Sequence, residues 1–442
     1  MSAKDTAETT LTTTTPRSRS PTLQVDDSEL ERARGEKTTT DSEPPNGGRA
    51  AWTVVLGVWC TSFCSFGWLN SIGTFQEYYQ NELLSDYSPS TVAWIPSLQL
   101  FFMMGMGPIV GRLYDRYGPR WLILGGSLLH VFGIMMASLA TEYYQILLAQ
   151  GVCSAIGVSA IFQPSLNCIH GWFTTKRGAA FGIQSTGSSV GGVVFPIMVP
   201  HLIREVGYGW AMRISGFLLL VLLVIANMTV RSRTPPSSQQ LSKAQIVQPF
   251  KEPAYVLLLC GFLCITYGIF VPINYLPAQA ISVGMAPGLA QYLPAILNAA
   301  SLFGRVISGI LGDKVGRYNV FVVVCYLSSI WILALWIPDS SNTGIIVFAA
   351  LFGFTSGAYI SLISPLVAQV SPMAEIGWRM GLVFAISSVG ALTTSPISGA
   401  IVETPSGWWG VKVFAGIFCV AGTTFILLAR VRKVGWSLTK VF

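Results

Sequence analysis

Stretches of about twenty mostly apolar residues recur twelve times along this 442-residue chain and constrain its fold more than any other feature. A stretch of that length is what a helix needs to cross the hydrocarbon core of a bilayer. Only 11% of the residues are charged, and many of those fall in the first fifty positions. The pattern predicts an all-α integral membrane protein with spans near 51–76, 91–112, 120–140, 144–169, 178–201, 209–230, 254–276, 289–311, 318–337, 343–367, 379–402 and 409–429.

The predicted helices form two sets of six, which indicates two bundles joined by a linker. Residues 1–48 are rich in Thr, Ser, Pro and charge, and this composition cannot bury enough apolar surface to offset the entropy lost on ordering. The predicted parts are a disordered cytoplasmic tail at 1–48, an N-terminal six-helix bundle at 49–230, a cytoplasmic linker at 231–252, a C-terminal six-helix bundle at 253–430 and a cytoplasmic tail at 431–442.

Lysine and arginine fall almost entirely on one side of the predicted bundles. With a cytoplasmic N-terminus, only Arg204 and Lys412 lie clearly in loops on the opposite side. Basic residues are retained in cytoplasmic loops of membrane proteins. Both termini are therefore predicted to be cytoplasmic, in a multi-pass protein that we expect in the plasma membrane.

The composition disfavours several function classes. The net charge of +7 comes with no basic patch interleaved with aromatic residues, so no nucleic-acid partner is expected. The sequence has no GxxxxGK[ST] loop, no HExxH motif and no paired carboxylates within the predicted spans, which argues against an enzyme. Cys60 and Cys64 are spaced i, i+4, as are Cys260 and Cys264, but neither pair has a nearby histidine or carboxylate. No metal or other cofactor is expected.

One short motif occurs at the same place in both halves. "GRLYDRYGPR" (111–120) follows the second predicted helix, and "GILGDKVGRY" (309–318) follows the eighth. Duplicated halves are typical of transporters whose substrate site lies between the repeats. Glycine lets a neighbouring helix approach, and the positive end of another helix can hold the aspartate in one conformation and release it in another. The alternative is a tight charged loop without a gating role. The residues predicted to gate the cytoplasmic side are Gly111, Arg112, Asp115, Arg116, Gly118, Gly309, Asp313, Lys314 and Gly316.

These features resemble the major facilitator superfamily, whose signature loop between the second and third helices is similar to residues 111–120. The resemblance covers the whole chain after the tail and implies twelve transmembrane helices in two pseudo-symmetric six-helix bundles. Within the superfamily, the chain is similar to the monocarboxylate porters, especially their fungal members, over "NGGRAAWTVVLG" (46–57), "FGWLNSIGTFQEYY" (66–79) and "GWFTTKRGAAFGIQSTGSSVGG" (171–192). That branch usually has an acidic residue before the two glycines of the first segment, where this chain has Asn46.

Arg305 lies well inside the eighth predicted span. A charge at that depth costs several kcal/mol unless it faces protein or water, so a functional role is the default. Asn298, Ser301 and Arg305 are spaced i, i+3 and i+7 and share one helix face, which we expect to line a cavity. A guanidinium offers a planar fork of donors that suits a carboxylate or another delocalised anion. The alternative is a structural arginine satisfied by backbone carbonyls or a helix end.

The resemblance to monocarboxylate porters implies three charged residues: an arginine on the eighth helix that meets the substrate carboxylate, an acid one turn before it, and a lysine in the first helix that helps to carry a proton. Arg305 matches the arginine, whereas Ser301 replaces the acid and Asn70 replaces the lysine. We therefore expect anion recognition without the proton machinery of the branch. Glu77, Glu403 and His130 are the remaining candidates for proton transfer, and proton coupling stays open.

Polar residues on other helices complete the predicted substrate site. Gln163 lies on the fourth helix and Asn274 on the seventh, two helices that line the central cavity in the superfamily. Hydrogen bonding between helices is the alternative role for each. The predicted substrate-binding residues are Arg305, Asn70, Asn298, Ser301, Gln163 and Asn274.

The sequence thus predicts a transporter that works by alternating access and moves a small organic substrate, anionic or bearing a carboxylate, across the lipid bilayer. Ser301 and Asn70 replace the charged pair of the monocarboxylate porters, which favours a larger, partly apolar acid as the substrate. Fungal members of that branch include exporters associated with secondary metabolism. Efflux of a secondary metabolite is the leading interpretation. Uptake of a short monocarboxylate or a vitamin is the alternative within transport, and a ligand sensor that moves nothing is the alternative from another class.

Overall fold

The computed structural model describes residues 45–233 and 242–436. Most of the predicted tail at 1–48, part of the linker and the end of the C-terminal tail lie outside the described residues. The described ranges contain helices and turns and no β-strand. The prediction of an all-α membrane fold is confirmed.

Twelve apolar helices are present in the described ranges, although two of them run together. Eleven helical segments are long and apolar enough to cross a bilayer. One of these, Arg177–Thr229, has 53 residues. A straight helix of that length would extend for about 80 Å, more than twice the ~30 Å of a hydrocarbon core. Gly207 divides it with a non-helical backbone, φ 78° and ψ 163°, so this segment supplies both the fifth and the sixth span.

The twelve helices are numbered α1 to α12 in chain order. The first half contains α1 (Arg49–Ser62, continued by the π-helical turn Phe63–Gly67), α2 (Trp94–Gly105 and Gly107–Tyr117), α3 (Arg120–Ala137), α4 (Ala155–His170, preceded by the π-helical stretch Leu147–Ser154), α5 (177–206) and α6 (208–229). The second half contains α7 (Pro253–Ser282), α8 (Leu293–Val315), α9 (Arg317–Ile330, continued by the π-helical stretch Trp331–Trp336), α10 (Asn342–Gln369), α11 (Ile376–Val402) and α12 (Gly407–Val434). A separate linker helix spans Lys243–Lys251.

Local sequence explains several helix ends. Gly118 ends α2 and Gly316 ends α8, with φ of 75° and 103°. Glycine adopts this left-handed region without steric cost, so both copies of the repeated motif stop their helix in the same way. The linker helix begins at a capping box, in which Ser242 accepts a hydrogen bond from the backbone of Gln245 at 3.3 Å and the Gln245 side chain accepts one from the backbone of Ser242 at 2.9 Å.

Aromatic residues fill the centre of each half. The rings of Trp68 and Phe195 meet edge to face at 5.1 Å in the first half, and those of Phe262 and Tyr359 meet at 6.0 Å in the second. Because lipid tails are as apolar as these side chains, close packing rather than exclusion of water holds such helices together. The halves contact each other mainly through α2 against α11 and α5 against α8, and these two crossings position the functional site.

Candidate functional site

Asp115 of α2 caps a helix of the other half. Its carboxylate accepts hydrogen bonds from the backbone N–H groups of Gly377 at 3.1 Å and Trp378 at 2.9 Å, in the first turn of α11. The first N–H groups of a helix have no partner within that helix, and the helix dipole favours a negative charge beside them. The aspartate therefore lies at the positive end of another helix, as its place in the motif led us to expect.

Asp313 of α8 makes the equivalent contact in the second half. It accepts hydrogen bonds from the backbone N–H groups of Gly178 and Ala179, both at 2.8 Å, at the start of α5. Arg317 adds an ion pair, with Nη2 at 2.8 Å from the Asp313 carboxylate. Within the described ranges, Asp115 forms no such pair. The same guanidinium donates to the Thr174 carbonyl at 2.8 Å, which links the loop before α5 to the second half.

Glycines bring the halves together backbone to backbone at both crossings. A Cβ added at Gly111 would overlap the carbonyl of Gly377, and one added at Gly309 would overlap the carbonyl of Gly178. Small residues at helix crossings in membranes allow this approach. In the present conformation, neither crossing has room for a larger side chain.

The other residues predicted to gate the cytoplasmic side lie in varied surroundings. The guanidinium of Arg112 lies 4.2 Å from the ring centroid of Trp378, a cation–π contact between the halves. Arg116 lies 5.1 Å from the ring of Tyr117 beside it, and Lys314 is exposed. The predicted residues that the structure brings to the contacts between the halves are Gly111, Arg112, Asp115, Gly309 and Asp313.

A cavity lies between the two halves. It is lined by residues of α1, α2, α4, α5, α7, α10 and α11. Most of the lining is apolar, and its aromatic members are Phe66, Phe162, Phe181, Phe270, Tyr359 and Phe384. The polar side chains, apart from the Tyr359 hydroxyl, are Ser62, Gln184, Ser185, Ser188 and Ser364.

Two contacts join α4 to the second half beside the cavity. Nε2 of His170 lies 3.0 Å from the hydroxyl of Ser364, which lines the cavity. The rings of Phe162 and Phe384 meet edge to face at 5.9 Å. Together with the two aspartate caps, these contacts join the two halves.

Arg305 lies between the halves and is only 2% exposed. Its Nε donates to the Ser301 hydroxyl at 3.0 Å, and its Nη1 donates to the carbonyl of Ser185 and the hydroxyl of Ser188. Both α5 serines line the cavity, so the guanidinium lies directly behind the cavity wall. Among the described residues, Nη2 has no hydrogen-bond partner and no acidic side chain forms an ion pair with Arg305.

The internal repeat shows that the helix crossing itself does not require this arginine. Gly107 in α2 is the counterpart of Arg305 in α8, since each comes four residues before the glycine of the motif. Gly107 packs directly against Gly381, and a Cβ added at Gly182 would lie 2.6 Å from the Arg305 carbonyl oxygen. The same crossing thus forms with no side chain in one half and with a long charged side chain in the other.

The two asparagines of the predicted site lie together next to Arg305 and α5. A Cβ added at Gly192 would lie 2.7 Å from both the Asn70 amide nitrogen and the Asn298 amide oxygen. Asn70 also donates to the carbonyl of Ser188 at 3.4 Å. The structure therefore brings together four of the predicted residues, Arg305, Asn70, Asn298 and Ser301. None of the four is among the described residues that line the cavity, because the side chains of α5 lie between them and it, so the expectation that this face of α8 lines the cavity is wrong.

Gln163 and Asn274 lie apart from that cluster. Gln163 of α4 donates to the carbonyl of Met103 at 3.2 Å and is not among the cavity-lining residues. Asn274 of α7 is exposed and donates to the hydroxyl of Ser395 at 3.4 Å. Both contacts join neighbouring helices.

His130 is fully buried inside the first half. Its ring nitrogens lie 2.8 Å from the Ser154 hydroxyl and 3.1 Å from the Cys64 carbonyl. It is not among the residues that line the cavity.

Asn46 accepts three hydrogen bonds from the loop before α5. Its Oδ1 lies 2.7 Å from the backbone nitrogen of Thr174, 2.9 Å from that of Thr175 and 2.9 Å from the Thr174 hydroxyl. The backbone at Asn46 has a φ of 51°, a region that asparagine and aspartate enter more readily than other side chains. The three donors of the loop need an acceptor oxygen on a residue that adopts this φ. Asparagine meets both requirements, as would the acidic residue that is usual here in monocarboxylate porters.

Sequence reasoning missed several of these partners. Arg317 and Gln184 were not singled out, because their contacts depend on how the halves pack. A usable signal was present for the glycines of α5 and α11: Gly178 and Gly182, like Gly377 and Gly381, have the small-xxx-small spacing of close helix crossings.

The fold and the cavity between its halves define a class of protein, the membrane transporter built from two repeated helical bundles. A family model described as "Major Facilitator Superfamily" matches residues 55–343 and 258–440. The chain belongs to the Major Facilitator Superfamily.

Similar proteins support the same class. The chain is 56% identical over 410 residues, covering 92% of each chain, to "MFS transporter asaE" of Aspergillus flavus. It is 54% identical over 404 residues to the "Fujikurins efflux protein" of Gibberella fujikuroi, covering 91% of this chain and 87% of the relative. The crystal structure of the E. coli fucose:proton symporter FucP has the same fold, with a TM-score of 0.67, 14% identity and coverage of 85% of this chain and 98% of that one. The protein is a multi-pass membrane transporter and not an enzyme.

Proposed function

We propose that this transporter exports a secondary metabolite that has a mainly apolar body and one acidic or strongly polarised oxygen group. The observation that carries the proposal is Arg305, a buried guanidinium that lies behind the cavity wall and has no counter-ion among the described residues. A buried charge that has hydrogen bonds but no counter-ion is costly, so we expect a negative group to visit it. A relative that is 54% identical and is named an efflux protein supports the direction of transport.

The lining of the cavity favours a substrate with an apolar body over a short monocarboxylate. Its aromatic and aliphatic side chains suit a hydrocarbon or aromatic group. Beside Arg305, the neutral Asn70 and Ser301 occupy the positions at which monocarboxylate porters carry a lysine and an acid. We assign the chain to a fungal, monocarboxylate-porter-like branch in which the anion-binding arginine is retained and its charged neighbours are lost.

The motif residues act as the gate in this proposal. The caps formed by Asp115 and Asp313 hold the cytoplasmic side closed while the substrate leaves outward, and both break when the halves rock to the opposite state. Positive-inside asymmetry supports cytoplasmic termini, and export from the cell requires the plasma membrane.

Proton coupling, where it occurs, runs through the substrate. No aspartate or glutamate is among the described residues that line the cavity, and His130 is bonded within the first half. The acidic group of the metabolite is then the remaining group in the cavity that can carry a proton.

Comparative metabolite profiling tests the export function. Cells and medium are analysed for a deletion strain and for strains expressing the wild type, Arg305→Met or Arg204→Met, an exposed arginine that serves as the control. We expect an acidic, mainly apolar metabolite to accumulate inside the deletion and Arg305→Met cells and to appear in the medium of the other two strains. Accumulation in the medium of the deletion strain would instead indicate uptake, and unchanged profiles in all strains would favour a sensor.

A further inference from the structure

The hydroxyl groups of the cavity wall are already engaged by the protein. Each of the five in the described lining forms a hydrogen bond with a helix carbonyl or a neighbouring side chain: Ser62, Ser185, Ser188, Tyr359 and Ser364. At Tyr359 the partner is the Thr266 hydroxyl, with the two oxygens 3.0 Å apart. These groups therefore offer few free donors to a substrate.

Gln184 is the exception in this wall. Its Oε1 accepts a hydrogen bond of 2.6 Å from the Ser62 hydroxyl, which comes from α1 and fixes the amide across the α1–α5 contact. Its Nε2 has no hydrogen-bond partner in the ranges that the structure describes. Both residues line the cavity and are at most 2% exposed. The Nε2 donors are therefore free to hydrogen-bond to a molecule that enters the cavity.

We propose that Gln184 is a specificity-determining residue that donates a hydrogen bond to a second oxygen of the substrate, a carbonyl on its apolar body. Ser62 is the positioning residue, since it occupies the amide oxygen and leaves the N–H groups facing the cavity. Gln184 and Ser188, the serine that Arg305 contacts, are four residues apart on α5, about one turn and roughly 6 Å along the helix axis. The substrate class is therefore an apolar molecule with a carbonyl about one helical turn from its acidic group. This inference rests on the proposed function.

Two matched probes separate the contribution of the substrate carbonyl from that of its carboxylate. Benzophenone-4-carboxylate has a ketone and a carboxylate on an apolar body, and 4-benzylbenzoate has a methylene in place of the ketone. Binding of each is measured to the purified full-length protein. We expect the wild type to bind the ketone about five- to tenfold more tightly, the gain from one hydrogen bond. Gln184→Leu should remove this preference, and Ser62→Ala should reduce it.

Two further variants act as controls. Gln279→Leu changes another buried glutamine, which accepts a hydrogen bond from Trp336 outside the cavity, and should leave the ketone preference unchanged. Arg305→Met should weaken both probes equally, because both carry the carboxylate. Equal binding of the two probes by the wild type, or a ketone preference that persists in Gln184→Leu, would overturn the role of Gln184 and leave the proposed function intact. Failure of the wild type to bind either probe would count against the proposed substrate class and, with it, this inference.

Discussion

The carboxylate of Asp115 lies 2.9 Å from the backbone nitrogen of Trp378. A side chain of α2, in the first half, thus caps the start of α11 in the second half. Asp313 repeats the arrangement at the start of α5. Each cap consists of two hydrogen bonds to a charged acceptor, and both join residues of opposite halves. Opening of this end of the transporter therefore requires both to break.

Asp115→Asn and Asp313→Asn should each favour the state that is open to the cytoplasm. In each variant a neutral amide replaces the charged acceptor, so the hydrogen bonds of the cap become weaker. We expect a change of about 1 kcal/mol, or roughly a fivefold shift in the ratio of the two conformations. Distances between spin labels at Trp121 and Met373, two exposed positions in opposite halves, measure the shift. Glu205→Gln, at an exposed glutamate of α5, is the control. Unchanged distance distributions in both aspartate variants would contradict the gating role.

Gly111→Ala should prevent the closed crossing from forming. The added methyl would overlap the carbonyl of Gly377 on the facing helix, where backbone atoms cannot move aside. We expect transport to be lost while the protein still folds, and the same spin labels should report separated halves. Gly125→Ala is the matched control, because a Cβ at that glycine meets nothing within 4 Å. Normal transport by Gly111→Ala would mean that this crossing does not close during the cycle.

The sequence was enough to predict the helical architecture and the aspartates that cap helices of the opposite half. Length and hydropathy identified the spans, and the repeat of Asp115 at Asp313 pointed to a shared role. Side-chain partners were less accessible, because they depend on packing between helices far apart in the chain. Arg305 illustrates the limit: its depth was predicted, but its bonds to Ser185 and Ser188 arise only when α5 and α8 cross.

Acid should weaken the fold through Glu252. Two hydrogen bonds from Arg379, both at 2.8 Å, hold the pKa of Glu252 below its ordinary value. A group with a lowered pKa stabilises the folded state above its unfolded pKa, and this contribution is lost as the pH falls below about 4.3 toward the folded value. Because the Glu252 side chain is 30% exposed, we expect a contribution of about 1 kcal/mol.

Thermal unfolding of the purified protein as a function of pH checks this contribution. Glu252→Gln should be less stable than the wild type at neutral pH and should lose less stability in acid. Identical pH profiles for the two proteins would show that the pair contributes nothing measurable.

Asn46→Asp should be tolerated, whereas Asn46→Ala should loosen the loop before α5. Aspartate keeps the acceptor oxygen and suits the φ of 51°, but alanine leaves the N–H groups of Thr174 and Thr175 without this partner. The cost resembles that of losing a helix N-cap, about 1 kcal/mol. Hydrogen exchange across the loop measures it, with faster exchange expected for alanine alone. Equal exchange in all three proteins would refute the proposed anchor.

The most direct test of the account compares transport of an acid with that of its neutral ester. Inside-out membrane vesicles containing the wild type or Arg305→Met are given either the exported metabolite that profiling identifies or its methyl ester. The account predicts that the wild type transports the acid about tenfold faster than the ester, and that Arg305→Met loses this preference. Equal transport of acid and ester by the wild type, or an undiminished preference in Arg305→Met, would contradict it.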